Sequence, residues 1–434
     1  SGRPGWTPGV PQVETDEVLA PMEAPSNRKP YWPEGDPATL DERVGMVHSV
    51  GMRQPSLPEM MRQLIGSPSV SSVSPDWDQS NAQVVDHLAD WCATRGFAVE
   101  RLPIDGHPGK FNLVASAGSG PDGLVLSGHT DTVPYDETRW RSDPFRLTER
   151  DGRWYGLGTC DMKGFFAVVL DAIHDIDLTQ LRHPLILLAT ADEESSMCGA
   201  KALLDTHRQL GRHAVIGEPT GLKPIRLHKG IGMEAIRLTG RSGHSSDPAL
   251  GISALEGMHR AIGELIAWRD ELQRRQRNPL FAVEVPTLNL GHIHGGDNPN
   301  RICAECELHF DIRPLPGMDL DELRGQIDRR ISARLEGSGL GFERLSLFEG
   351  IAAMETAATS PIVQAAEALT GYSAGAVAFA TEGPYMNRLG MQTLILGPGN
   401  IDQAHQPDEY LALDQIEPAR RIIRGLVRQF CVSD

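Results

Sequence analysis

The chain has no disulfide framework. Its six cysteines, Cys92, Cys160, Cys198, Cys303, Cys306 and Cys431, are scattered along 434 residues, unlike the tight spacing of small secreted scaffolds. Cys303 and Cys306 have C-x-x-C spacing, but they stand in a strand-like run, where residues three apart face opposite sides. Long apolar runs are also missing, and nothing approaches the ~18 residues needed to span a bilayer. Positive charge is in deficit, with 41 Lys and Arg against 58 Asp and Glu. The resulting net charge of −17 argues against nucleic acid and anionic membrane surfaces as partners. There is no H-E-x-x-H, no phosphate-binding G-x-x-x-x-G-K-[ST] and no G-x-S-x-G nucleophile elbow. Gly118–Gly123 matches G-x-G-x-x-G in form, yet it precedes a strand and contains Pro121, so it reads as a turn. Internal repeats are absent. A soluble protein of the reducing cytoplasm is expected.

The first fifty or so residues lack periodic apolar positions and are punctuated by eight prolines from Pro4 to Pro37. Such a composition does not repay the entropy of ordering, and no basic segment leads into an apolar core as in a secretory signal. Residues 1–52 are expected to be a disordered extension, with Ser1-Gly2 a processing or cloning remnant.

Helical and strand patterns alternate from about Pro55. Val84, Val85, Leu88, Trp91 and Cys92 mark a helix within 78–95, stopped by Gly96. Four apolar strand-like runs follow: Gly123–His129, Leu185–Ala189, Ala214–Glu218 and Thr393–Leu396. The order changes near Gly232, where strand, helix, two strands, helix and strand succeed one another up to Phe348. That β-α-β-β-α-β order is ferredoxin-like. The expectation is an α/β catalytic domain in two parts, 53–231 and 349–434, with a ferredoxin-like lid over 232–348 inserted between them.

Each of the four runs leads to a residue able to bind a metal: His129, the Glu193-Glu194 pair, Glu218 and, beyond the last strand, His405. Asp161 stands just ahead of an apolar helical stretch. Functional groups gather beyond the carboxyl ends of strands in open α/β sheets, and imidazole and carboxylate suit zinc. Asp131, two residues past His129, is placed to orient a ligating imidazole. Adjacent carboxylates with diverging side chains let one bind metal while the other accepts a proton from water whose pKa zinc lowers to about 7. A short carboxylate such as Asp161 is able to bridge two cations. His244 beside Ser245 and Ser246 also admits a serine nucleophile, although a serine-rich turn is the more ordinary reading.

The motifs Ser127-Gly-His-Thr-Asp131-Thr-Val, Gly158-Thr-Cys-Asp161-Met-Lys-Gly, Asp192-Glu-Glu194, Gly217-Glu218-Pro-Thr and Gln403-Ala-His405-Gln-Pro-Asp-Glu409 resemble the co-catalytic zinc amidohydrolase and peptidase family. The likeness runs from about Pro55 to Cys431. Further stretches, among them Ser242–Pro248, Pro286–Gly296 and Asp311–Gly317, are most similar to the bacterial branch that deacetylates acetylornithine. The resemblance implies two zinc ions per subunit, with cobalt as an alternative. His129 and Glu218 would hold one ion, Glu194 and His405 the other, with Asp161 between them and Glu193 as general base and acid. It also implies a homodimer through the lid, in which His244 reaches the partner's active site to stabilise the oxyanion. Asn300 and Arg313 look like the clamp for the carboxylate of a small acyl-amino acid. Many relatives read Gly-Gly-Thr-Asp where this chain has Ala380-Thr-Glu382-Gly, which makes Glu382 a candidate partner for the ornithine ammonium. The expected reaction is hydrolysis of N2-acetyl-L-ornithine in arginine biosynthesis. The alternatives are a desuccinylase acting on succinyl-diaminopimelate, an aminoacylase or a dipeptidase on the same scaffold, and, outside that class, a metal-binding protein without catalysis or a serine amidase.

Overall fold

The computed structural model describes residues 54–206 and 210–432. The expectation of a disordered segment over 1–52 lies outside the described residues.

The four apolar runs form the middle of a nine-stranded mixed sheet. Leu185–Thr190, Leu124–His129, His213–Pro219 and Gln392–Gly397 lie side by side and are mutually parallel. Leu124–His129, Leu185–Thr190 and His213–Pro219 are buried along their whole length. Strands covered on both faces read as near-continuous apolar runs, which is why the sequence exposes them. Phe111–Ala117 and Ala98–Pro103 extend one side antiparallel. Ile225–His228 and Met354–Glu355 extend the other.

The helix Lys163–Ala172 is buried at every position except Asp171. It packs against Leu57–Ile65 and Ile416–Val427 on one face of the sheet. Burying Phe165 and Phe166 contributes roughly 1.5–3 kcal/mol each. At Gly217 this helix touches the sheet so closely that a Cβ would stand 2.2 Å from the Phe165 ring.

The helix expected over 78–95 begins at Ala82. The residues before it bind elsewhere: Asp78 accepts from the Lys110 ammonium and the Ser72 N–H, and Ser80 donates to the Gly109 carbonyl. Its end matches the expectation, with Gly96 at φ +94°.

The chain leaves the main sheet after Ile225–His228 and returns at Met354–Glu355, which pairs with the strand it left. Between them stand Ile231–Thr239, helix Ala254–Arg275, Thr287–Gly295, Glu305–Arg313, helix Leu320–Leu335 and Gly341–Ile351. Each strand is antiparallel to its neighbours, and Thr287–Gly295 lies at one edge. Both helices cover one face, burying Met258, Leu265, Trp268, Leu323, Ile327 and Ile331 against Ile236, Leu308 and Phe310. This is the expected α/β fold with a ferredoxin-like insertion.

Candidate metal centre

The parallel strands place their carboxyl ends together, and the polar cluster forms there. His129 is the last residue of its strand and is paired with Thr190. Two residues beyond Thr190 the chain turns at Asp192, φ +54°, and presents Glu193 and Glu194. Glu218 follows Gly217 in the neighbouring strand. His405 comes from the loop after Gln392–Gly397 and holds φ +59°, a left-handed conformation that His tolerates better than most residues.

Asp161 links the two halves. One of its oxygens, Oδ1, lies 3.1 Å from His129 Nε2, and the other, Oδ2, lies 3.4 Å from His405 Nε2. His129 Nε2 also stands 3.7 Å from Glu218 Oε1, and His405 Nε2 stands 3.0 Å from Glu194 Oε1. Glu193 joins His129 and Glu218, with one donor atom from each within 4.8 Å of the others; His129, Asp161 and Glu194 make a second such group.

These groups perturb one another strongly. Burial raises the Glu193, Glu194 and Glu218 carboxyls, and their negative neighbours raise them further. Burial works against charge on Asp161 too, but His129 and His405 outweigh it and hold that carboxyl well down. His405 is pushed up to about 10 by its contacts with Asp161 and Glu194. Burial disfavours a charged His129, yet Asp131 and Asp161 hold its pKa well above the ordinary value.

The donor set fits a pair of divalent cations. Two imidazoles and four carboxylates are gathered where like charges repel, and one carboxylate offers an oxygen to each imidazole-centred half. Nitrogen and carboxylate donors of this kind suit zinc.

Asp131 is buried and holds two parts of the cluster in place. Its two oxygens accept the N–H groups of Glu193, at 3.2 Å, and Glu194, at 3.0 Å. The ring nitrogen His129 Nδ1 is 3.5 Å from Asp131 Oδ1, but its nearer neighbour is the Asp131 carbonyl at 3.1 Å. The residue orients His129 through backbone as well as side chain.

Glu382 lies buried behind the cluster. Its Oε2 accepts from the Thr190 hydroxyl at 2.9 Å, Oε1 has no hydrogen-bond partner among the described residues, and burial raises its pKa to about 7. The structure does not bring His244, Asn300 or Arg313 into contact with the cluster. His244 is exposed on the inserted module, where Nδ1 accepts from the Ser246 hydroxyl and N–H. Asn300 is exposed, and its N–H donates to Asn298 Oδ1. Arg313 commits Nε to Asp311 at 2.9 and 3.1 Å.

Sequence reasoning gave no role to two buried residues at the site. Glu409 Oε1 accepts the N–H groups of Gly158, Cys160 and Asp161 at 3.1, 2.8 and 3.0 Å, fixing the loop that carries Asp161. Lys163 donates to the Ser67 carbonyl at 3.0 Å, and burial lowers its pKa to about 7. Both stand inside motifs quoted above, but nothing in those motifs signals contacts so distant along the chain.

Residues 125–429 match the model of peptidase family M20/M25/M40. The chain belongs to that family. It is accordingly a hydrolase of the metal-dependent type, built on a catalytic domain with an inserted module. It is 49% identical, over 87% of its length and 99% of the relative's, to a protein of Pasteurella multocida (strain Pm70) named acetylornithine deacetylase. Among solved structures, aminopeptidase PepT from Bacillus cereus ATCC 10987 shares the fold with a TM-score of 0.69 at 18% identity, covering 87% of this chain and 98% of that one. A dinuclear-metal-binding M20 peptidase from Bacillus subtilis gives 0.61 at 14% identity, covering 85% and 96%.

Proposed function

We propose that this M20 hydrolase cleaves the acetyl amide of N2-acetyl-L-ornithine, releasing acetate and L-ornithine in the cytoplasm as a step of arginine biosynthesis. The 49% identity to the Pasteurella relative over 87% of this chain carries this reading.

His129 and Glu218 would hold one zinc and Glu194 and His405 the other, with Asp161 giving an oxygen to each; cobalt is the alternative ion. When bound, such ions supply Lewis acidity toward the amide carbonyl and bring the pKa of water near 7. Glu193 stands beside His129 and Glu218, and among the described residues no hydrogen bond commits its carboxylate to the protein. It takes the proton of the attacking water and returns it to the leaving amine. Asp131 and Glu409 keep His129, the Glu193-Glu194 turn and the Asp161 loop in register for that transfer.

The module 232–348 serves as lid and dimerisation element between the two catalytic segments, 53–231 and 349–434. His244 of the partner subunit donates to the tetrahedral oxyanion, an interaction often worth ~3–4 kcal/mol. The exposure of His244, and its lack of contact with its own chain's cluster among the described residues, support this arrangement. Arg313 spends only Nε on Asp311, so its terminal nitrogens are free of hydrogen bonds among the described residues. With Asn300 they clamp the substrate carboxylate. Glu382, buried with Oε1 out of reach of solvent, favours the ornithine ammonium through its negative charge rather than by contact.

Initial rates on N2-acetyl-L-ornithine, N-succinyl-diaminopimelate and neutral N-acetyl-amino acids test the substrate. Preference for acetylornithine, narrowed in Glu382→Gln, is expected. Turnover of the succinyl compound alone would overturn the assignment, and an unchanged preference in Glu382→Gln would remove Glu382 from it.

A further inference from the structure

Away from the metal centre, three histidines share the helix-free face of the inserted sheet. His292 and His294 stand two residues apart on the edge strand Thr287–Gly295, and His309 lies directly opposite His292 on Glu305–Arg313. Their ring centroids are 5.1, 5.3 and 6.3 Å apart. Three imidazoles on one tetrahedral ion, with nitrogen–metal bonds of 2.0–2.1 Å, place their ring centroids about 5 Å apart. The His292–His294 and His292–His309 spacings are already close to that, and the His294–His309 spacing of 6.3 Å must shorten by about 1 Å for all three to share an ion.

A bulge creates the arrangement. Leu290 pairs with Phe310, on the helix-covered face, and His292 pairs with His309 on the other face. In a regular strand, residues two apart share a face, so His292 would follow Leu290 into the core. The extra residue Gly291 breaks the register and turns both histidines outward, which is a known use of bulges.

The third ring is already set up as a donor. His309 Nε2 stands 2.7 Å from Glu307 Oε1, so Nε2 carries the hydrogen, and in the neutral ring Nδ1 is then the nitrogen with the lone pair. Glu307 is itself fixed by Arg237 Nε at 2.6 Å on its other oxygen. A carboxylate behind the remote nitrogen is the usual support of a metal-bound histidine. His292 and His294 are exposed, and exposed side chains change rotamer within nanoseconds, so they are free to bring their ring nitrogens toward Nδ1 of His309.

We propose that His292, His294 and His309 form a second transition-metal site on each chain, separate from the centre around Asp161, taking one ion of the zinc, nickel or copper class that favours imidazole.

Equilibrium dialysis of the full chain against Zn2+ tests this, by comparing wild type with His292→Asn/His294→Asn and with His309→Asn. The wild type should bind one ion more per chain than either variant, and hydrolytic activity should be unchanged in both. Glu307→Gln should weaken that one ion about 10- to 100-fold. Loss of the Asp161 centre would lower wild type and variants alike, so a failure of the proposed function leaves the difference readable. Zinc-edge anomalous diffraction from wild-type crystals grown with Zn2+ requires no variant and should show density between the three rings. Equal stoichiometry in all chains would overturn the site. Density in the crystal without a dialysis difference would mean an adventitious ion only, and overturn it too.

Discussion

At the residue scale, the centre depends on groups that never need to touch substrate. Asp131 accepts from two backbone N–H groups and sits beside His129 Nδ1, so it fixes both a candidate ligand and the turn that presents the candidate base. Removing such a carboxylate typically weakens metal binding 10- to 100-fold. Asp131→Ala should show a loss of that size in a competitive chelator titration while retaining the native circular dichroism spectrum. Unchanged affinity would relegate Asp131 to packing. Five residues of the cluster, His129, Asp161, Glu194, Glu218 and His405, were legible because each follows a strong apolar strand or precedes a strong apolar helix. Glu409 and Lys163 were not. Their roles rest on hydrogen bonds to residues as far as 251 positions away, and a single buried Glu in a loop, or a single Lys opening a helix, carries no periodicity to betray it.

At the element scale, buried strands were easy to read and exposed ones were not. Leu124–His129 and Leu185–Thr190 are apolar throughout because both faces are covered. Ala98–Pro103 is largely exposed, and the three-stranded sheet of Thr148–Arg150, Arg153–Tyr155 and Tyr410–Ala412 joins segments far apart in sequence, so neither gives a run that stands out. The bulge at Gly291 was equally hidden, since a register shift is a property of two strands. The strand Ile225–His228 ends in a titratable group that does report on stability. His228 is fully buried, Nδ1 lies 2.7 Å from the Lys229 carbonyl, Nε2 has no hydrogen-bond partner among the described residues, and burial lowers its pKa from 6.5 to about 4. Because the folded pKa is depressed, the unfolded chain takes up the proton first as pH falls. The contribution is therefore complete above pH 6.5 and is lost on the way down to about pH 4. At 1.36 kcal/mol per pKa unit the loss amounts to about 3 kcal/mol. Denaturant titrations at pH 7 and pH 4.5 should show a smaller pH-dependent drop in His228→Asn than in the wild type. Equal drops in both would mean that His228 titrates normally in the folded state.

At the scale of the whole molecule, the chain leaves the main sheet for the inserted module and comes back to the strand it left. The β-α-β-β-α-β order of that module was readable from alternating periodicities, whereas contacts between its loops and any partner were not. If His244 acts in the partner's site, two inactive variants should rescue each other. Mixing His244→Ala with Glu193→Ala and allowing subunits to exchange makes half the dimers mixed, each with one complete site. Activity should then return to about a quarter of wild type, as two-fold symmetry requires. No recovery under conditions where exchange is verified would place His244 outside the partner's site.

The proposed hydrolysis turns on Glu193 acting beside a metal centre that the other residues hold. The most direct measurement is ornithine release from N2-acetyl-L-ornithine by zinc-loaded wild type and Glu193→Ala, with and without chelator, and with bound metal quantified in each. Chelator-sensitive release by the wild type is predicted, together with a Glu193→Ala protein that keeps its metal and loses turnover by at least the 10²–10⁴-fold typical of a lost general base. Full activity in Glu193→Ala, or release indifferent to chelator, would contradict it.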